Sequence, residues 1–392
     1  MKILHTSDWH LGHVLYGYDR YFEQSHMLGQ IERIVAETQP DVMIISGDIF
    51  HTSAPSAAVQ RMFTESMVKL HDISPGMKIV IIAGNHDSAS RHEISKSLWK
   101  HLGVSMIGTI DVDNPLSHII EVSDKGWIVA VPYAHRRNMP DDFFSLLQHE
   151  VKKLNTKSLP VILSAHTTIA DSDVTGHDEE GGNSMVGGIE SVELEEIGTG
   201  YDYVALGHIH KPQTIKKDNI ISRYCGTPLA VSFDEKYPHS VSLVEIEEKG
   251  QIPEITEITI ENVIPLLNIP PEGWAPLEEV IDLIKTIEDD APAYLRLNVT
   301  VEDFLPVTAQ DDVMKALNNK KARFCLINPK KKEEVTGCVA ASMTFDEFVD
   351  KEPLEIIRKF SKDLGIDFDK EFLEMYSEVL SRLEDIKDDP KK

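Results

Sequence analysis

Five short apolar runs in the first half of the chain stop abruptly on Asp, Asn or His, and this pattern limits the possible folds more than any other feature. The runs are Lys2-Ile3-Leu4, Val42-Met43-Ile44-Ile45, Ile79-Val80-Ile81-Ile82, Val161-Ile162-Leu163 and Tyr203-Val204-Ala205-Leu206. None alternates with polar residues, which is the pattern of strands covered on both faces. Helix-patterned segments, Met27 to Thr38 and Ala57 to His71, fall between them, and Trp127-Ile128-Val129-Ala130-Val131, stopped by Pro132, is a further strand candidate. The order predicts an α/β layered fold. Just beyond the runs stand Asp8 and His10, Asp48, Asn85 with His86, His166, and His208 with His210. Ligands of open α/β sheets bind outside the carboxyl ends of the strands, so five segments are expected to deliver polar side chains to one edge.

Taken singly, several of these motifs have ordinary explanations. Gly47-Asp48 can be a turn in which Gly relaxes the backbone and Asp caps the next helix. Gly84-Asn85-His86-Asp87 says more, because three polar side chains follow an apolar strand with no room for a long loop. On an extended segment His208 and His210 point the same way, so both imidazoles are expected at a common centre. Together the residues offer imidazoles, carboxylates and one amide oxygen without a thiolate, which suits Mn²⁺, Fe²⁺ or Zn²⁺ better than Ca²⁺ or Mg²⁺ alone. Seven donors are too many for one ion. Two ions about 3.5–4 Å apart, sharing a carboxylate, clamp an in-line displacement at phosphorus, and Asp48 is the natural bridge.

At 392 residues the chain is long enough for one large domain and a smaller one. Pro265, Pro270, Pro271 and Pro276 mark a linker around Ile264 to Pro276. We therefore expect domains at 1–265, 266–340 and 341–392. The middle segment reads as a small α+β domain, with helices over Leu277 to Ile287 and Gln310 to Asn318 and strands over Tyr294 to Val301 and Ala322 to Ile327. From Phe345 onward Phe345, Phe348, Leu354, Ile357 and Phe360, then Phe372, Tyr376, Val379, Leu380 and Leu383, form amphipathic helical stripes that fit the chain's own surface or a partner equally well. Asp171 to Gly188, rich in Gly, Asp and Ser, reads as a surface loop able to act as a lid. No apolar stretch is long enough to cross a bilayer and no signal-like segment follows Met1, so a cytoplasmic protein without membrane contact is expected. Cys225, Cys325 and Cys338 are too far apart for a Cys-x-x-Cys pair and read as ordinary thiols. The net charge of −26 argues against a chain that grips nucleic acid by its overall field.

The set Asp8-x-His10, Gly47-Asp48, Gly84-Asn85-His86-Asp87, His166 and Gly207-His208-x-His210 resembles the calcineurin-like metallophosphoesterases in order and spacing. The stretches His5 to Gly12, Gly47 to His51, Tyr224-Cys225-Gly226-Thr227-Pro228 and Ser232-Phe233-Asp234-Glu235 are similar to the MRE-type DNA repair nucleases of that family. The resemblance implies a layered β-sandwich flanked by helices, a small capping domain and a helical C-terminal tail. It implies two divalent ions, Mn²⁺ before Mg²⁺, Fe²⁺ or Zn²⁺, one held by Asp8, His10, Asp48 and His210 and the other by Asp48, Asn85, His166 and His208. A water between them would attack the phosphodiester, with His86 beside the scissile phosphate and Asp87 orienting His86. His51 would help place the DNA strand. His13, Tyr16 and Arg20, just after the first motif, are further candidates for touching DNA. Among the remaining histidines, His26, His71, His92, His101 and His239 read as surface or packing residues, and Lys330-Lys331-Lys332 as a solvated turn.

Partners also follow from the resemblance. A homodimer would form through Ser56 to His71 and Arg91 to Leu102, with Ile94, Leu98 and Leu102 facing the twin, inside a heterotetramer whose other subunit is an SMC-like coiled-coil ATPase bound by the tail. ATP would belong to that subunit, since this chain has no Gly-x-x-x-x-Gly-Lys-Ser/Thr loop. The implied activity is ATP-regulated exonuclease action on duplex DNA and endonuclease action on single strands and hairpins, in repair, replication and recombination. Two other readings keep the same residues: a cyclic nucleotide phosphodiesterase or phosphoprotein phosphatase on the same core, and a non-catalytic clamp subunit of an ATPase.

Overall fold

The computed structural model describes residues 1–140, 142–170, 172–174, 191–217 and 220–332. The expected helical tail from Phe345, Cys338 and most of the candidate lid lie outside the described residues. Two six-stranded sheets form the centre. In the first, the parallel strands Lys2–Thr6, Val42–Ile45, Lys78–Ile82 and Val104–Ile107 lie side by side, extended by the antiparallel Ser240–Glu245 and Glu254–Thr259. In the second, Gly126–Val131, Val161–His166, Tyr203–Gly207 and Ile220–Tyr224 run parallel, between the antiparallel edges Ile119–Val122 and Gln213–Lys217.

Strand alternation explains why the sequence runs are wholly apolar. Ile3, Val42, Ile44, Val80 and Ile82 face the second sheet, where they meet Ile128, Ala130, Ile162, Tyr203 and Ala205. Their neighbours Leu4, Met43, Ile45, Ile79 and Ile81 face outward. There they pack on helices α1 (Tyr21–Thr38) and α2 (Ala57–Ile73), through Met27, Ile31 and Val35 of one and Phe63, Met67 and Leu70 of the other. On the far side Val129, Leu163, Val204 and Leu206 pack against Phe143, Leu147 and Val151 of the helix Phe143–Leu154. The result is the expected sandwich, helix on sheet on sheet on helix. Both faces of each central strand remove apolar surface from water, worth roughly 1.5–3 kcal/mol per large side chain.

Residues Met1–Lys331 form one compact unit. Within it, a smaller sheet joins Leu266–Ile269, Ala275–Pro276 and Arg323–Lys331 in parallel to Tyr294–Val301. One face, Leu295, Leu297 and Val299, packs on Val280, Ile284 and Val313 from the helices Leu277–Thr286 and Ala309–Ala316. Tyr294 clusters instead with Leu15, Phe233 and Ile264. Its hydroxyl donates to Glu23 Oε1 at 2.6 Å, and Arg296 binds Asp234, so this sheet is fastened to the sandwich by polar contacts as well as apolar ones. Lys330 and Lys331, expected in a turn, end a strand, with Lys330 over the Trp274 ring.

Candidate metal centre

The site is built from loops that leave neighbouring strands at the same end. The segments after Lys2–Thr6 and Val42–Ile45 continue side by side: Asp8 N donates to Gly47 O, His10 N to Asp48 O and Leu11 N to Ile49 O, at 3.0, 3.0 and 2.8 Å. The third loop, after Lys78–Ile82, is stitched to them by Asp87, whose carboxylate accepts the amides of Ile49, Phe50 and Gly84 at 3.2, 3.0 and 3.0 Å. From the second sheet come His166, the last residue of its strand, and His208 with His210 just after Gly207. These backbones approach so closely that a Cβ on Gly84 would overlap the Asp48 carboxylate, and one on Gly47 the His166 ring. Glycine is required at both by space, and at Gly47 also by its φ of 92°.

All seven predicted donors converge. His10 Nε2 lies 3.1 Å from His210 Nε2, and Asp8, His10 and His210 can direct one ligand atom each to a common point. Alongside, Asn85 Oδ1 stands 2.9 Å from His166 Nε2 and 3.1 Å from His208 Nδ1. Asp48 lies between the two groups, with Oδ2 at 3.5 Å from His166 Nε2 and 3.9 Å from His10 Nε2. His208 differs from expectation. Its φ of 99° breaks the extended path, so its ring turns to Asn85 while His210 turns to His10, and the two imidazoles serve separate halves of the site.

Electrostatics follow from burying carboxylates and imidazoles together. Burial alone would lower the His166 pKa, but the Asp48 carboxylate outweighs it and lifts the value to about 9. Burial opposes protonation of His210 too, yet Glu235, with Asp8 and Asp48 helping, lifts its pKa to about 8. Burial would raise Asp48, but the charge of His166 holds it well below the usual carboxylate range. For Asp8 burial prevails and the pKa rises; for His10 burial prevails and the pKa falls. The carboxylates thus draw protons onto buried rings in the place where a cation would sit. With two carboxylates, four imidazoles and one amide oxygen, and no thiolate, the donor set fits divalent transition metals.

The other predicted residues divide. His86 is at the site, its ring centroid 5.0 Å from that of His10 and stacked 5.7 Å from that of His51. Its Nδ1 meets the His51 carbonyl at 3.0 Å, not Asp87. Asp87 instead spends its carboxylate on three backbone amides and ties the loops together, which corrects the reading of it as the orienting partner of His86. Arg20 is also corrected: it is 1% exposed, donates to the Ala230 carbonyl and pairs with Glu23, so it holds the fold and cannot reach a strand of DNA. His13 is buried edge-on against His51 and supports that ring. Tyr16 is half exposed, and with His51 remains on the accessible rim. His92, read as packing, is buried 3.9 Å from Asp87. Sequence reasoning gave no role to Glu235, which accepts from His210 Nδ1 at 2.8 Å; the signal was its place in the Ser232-Phe233-Asp234-Glu235 motif.

The sandwich with this donor set at its edge defines a phosphoesterase, and the chain belongs to the calcineurin-like phosphoesterase family, whose pattern residues 1–212 match. Within the family it is similar to one nuclease in particular, SbcD of the SbcCD nuclease. The SbcD protein of Bacillus subtilis is 32% identical over 78% of this chain and 80% of its own length. That of Rhodobacter capsulatus is 29% identical over 72% of this chain and 74% of its own length. Among solved structures, a dimetal phosphatase from Danio rerio aligns with 67% of this chain and 99% of its own, at 9% identity and a TM-score of 0.43. No helix among the described residues is long and apolar enough to cross a membrane.

Proposed function

We propose that this chain is a two-metal nuclease that hydrolyses phosphodiester bonds in DNA. The phosphoesterase chemistry rests on the family and the donor set. DNA as substrate rests on one observation: similarity to the SbcD protein of the SbcCD nuclease runs over 78% of the chain, well past the residues that the phosphoesterase family matches. A phosphatase or cyclic nucleotide phosphodiesterase would share the core alone, and a non-catalytic clamp would be expected to have lost donors that are all here.

In this reading one divalent ion is held by Asp8, His10, Asp48 and His210, and a second by Asp48, Asn85, His166 and His208. When bound, such a pair neutralises phosphate charge and acidifies a water for attack on phosphorus. The chain's own residues do the rest. Asp48 holds both halves at one spacing. His86, with Nδ1 engaged by the His51 carbonyl, keeps Nε2 free to carry the proton needed at the leaving oxygen. His51 stacks behind it and, with the half-exposed Tyr16, flanks the path a strand would take. Mn²⁺ is the favoured ion, and the products fit exonuclease action on duplex ends and endonuclease action on single strands and hairpins, under ATP control from a partner of the SbcC type.

The proposed dimer has a surface to form on. Between α2 and helix α3 (Ala89–Lys100) runs an apolar groove of about 550 Å³ bordered by Phe63, Val68, Trp99 and Leu102, with Ile94 and Leu98 exposed at 80% and 73%. Exposed apolar patches of this kind mark interaction sites. The direct test of function is a substrate panel with Mn²⁺: linear duplex and hairpin DNA, cyclic AMP and a phosphopeptide. Cleavage of DNA with neither small substrate turned over supports the reading, and the reverse selectivity overturns it.

A further inference from the structure

We propose that Glu235 is a positioning residue of the metal centre, fixing His210 as the tautomer that aims an unprotonated Nε2 at the cation beside Asp8 and His10. The inference rests on the two-metal reading above. Glu235 Oε1 accepts from His210 Nδ1 at 2.8 Å, and its side chain is fully buried. The second oxygen is also occupied, by Thr227 Oγ1 at 3.1 Å and the Val231 amide at 3.3 Å. A buried carboxylate is costly unless hydrogen-bonded, and here each oxygen is satisfied with one aimed at a ring nitrogen. Because a carboxylate only accepts, Nδ1 must carry the proton, and Nε2, 3.1 Å from His10 Nε2, presents its lone pair to the site.

The turn carrying Glu235 is itself held. The neighbouring Asp234 is bound by Arg296 of the smaller sheet through both guanidinium nitrogens, at 2.8 and 2.5 Å, and Asn268 Nδ2 reaches the Phe233 carbonyl at 3.3 Å. Glu235 therefore presses on His210 from a fixed support, as a preorganised site needs. The other half of the centre is built differently. His166 Nδ1 faces the backbone carbonyl of Ser46 at 2.7 Å, a dipole and not a charge. A carboxylate makes the opposite ring nitrogen the stronger donor, so the half containing His210 is the tighter of the two cation sites.

The experiment is a Mn²⁺ titration of the full chain by calorimetry and electron paramagnetic resonance, comparing wild type with Glu235→Gln, which keeps shape and an acceptor oxygen but removes the charge. The expected result is two ions in wild type and a selective weakening of one site by about 10–100-fold in the variant, so that a coupled two-ion signal gives way to a single-ion signal at limiting Mn²⁺. Two unaltered sites in Glu235→Gln would overturn the inference, as would equal weakening of both. Should the variant fail to fold, the nitrogen-15 spectrum of wild-type His210, assigned by its loss in His210→Gln, decides: Nδ1-protonated supports the proposal and Nε2-protonated overturns it. Failure of the underlying reading looks different, because wild type would then bind no Mn²⁺ or leave DNA uncut.

Discussion

Four of the seven donors, Asp8, His10, Asp48 and His208, hold φ angles of 53°, 43°, 49° and 99°, a region that side chains with a Cβ seldom enter. Each such residue costs on the order of 1–3 kcal/mol, and such costs cluster where geometry serves chemistry. His86 is outside this strained group and touches none of the seven through its ring nitrogens in the described contacts, so its part is the proton and not the cation. His86→Leu should therefore keep Mn²⁺ stoichiometry while DNA cleavage falls about 10²–10⁴-fold; loss of an ion in that variant would make His86 a ligand. His5, beneath the site, gives a pH signature. Burial, aided by the charge of Arg223, lowers its pKa from 6.5 to about 3, so the unfolded chain binds the extra proton first. Its neutral form supports the fold fully above pH 6.5, and that support drains as pH falls from there through about 3, a loss of a few kcal/mol. Urea midpoints measured down this range should fall less steeply for His5→Gln than for wild type. At this scale the donors were legible because each follows an apolar run. Asp87 and Arg20 were not, because their partners come from other segments: Asp87 takes amides of the second loop, and Arg20 a carbonyl at Ala230.

The elements read most clearly from sequence are those covered on both faces. Val42–Ile45 and Tyr294–Val301 are found at the expected bounds, and Val161–His166 extends past its apolar start because Ser164 and His166 are buried too. The edges escaped. Glu254–Thr259, with the sequence EITEIT, and Gln213–Lys217 are half exposed and rich in charge, so nothing in composition separates them from loops until they pair with Ser240–Glu245 and Ile220–Tyr224. Helix α1 begins at Tyr21, earlier than its buried stripe from Met27 suggests, because its first turn carries the exposed Tyr21 and Phe22. What joins elements into a site is loop contact at glycine. Gly84→Ala puts a methyl into the Asp48 carboxylate, and we expect roughly 1–3 kcal/mol of lost stability together with weaker binding of both ions. Thermal unfolding and Mn²⁺ titration of the same preparation check the two effects together; an unchanged titration would show that the loops can part without moving Asp48.

For the whole molecule the tension is charge. A net charge of −26 opposes a polyanion, and cations at the centre offset it only locally. The chain alone is therefore predicted to bind duplex DNA weakly at physiological salt, and the coiled-coil ATPase partner to raise the affinity; tight binding by the chain alone, measured by fluorescence anisotropy, would contradict this. The tail expected to meet that partner, 341–392, lies outside the described residues, so the proposal stands on the sequence stripe and the relatives and not on contacts. The central claim is narrower: seven side chains from five segments hold two cations that share Asp48. The most direct measurement is the number of Mn²⁺ ions bound per chain in wild type and in Asp48→Ala. Two in wild type and none in Asp48→Ala is the predicted result. A single ion in wild type, or two retained in the variant, would contradict it.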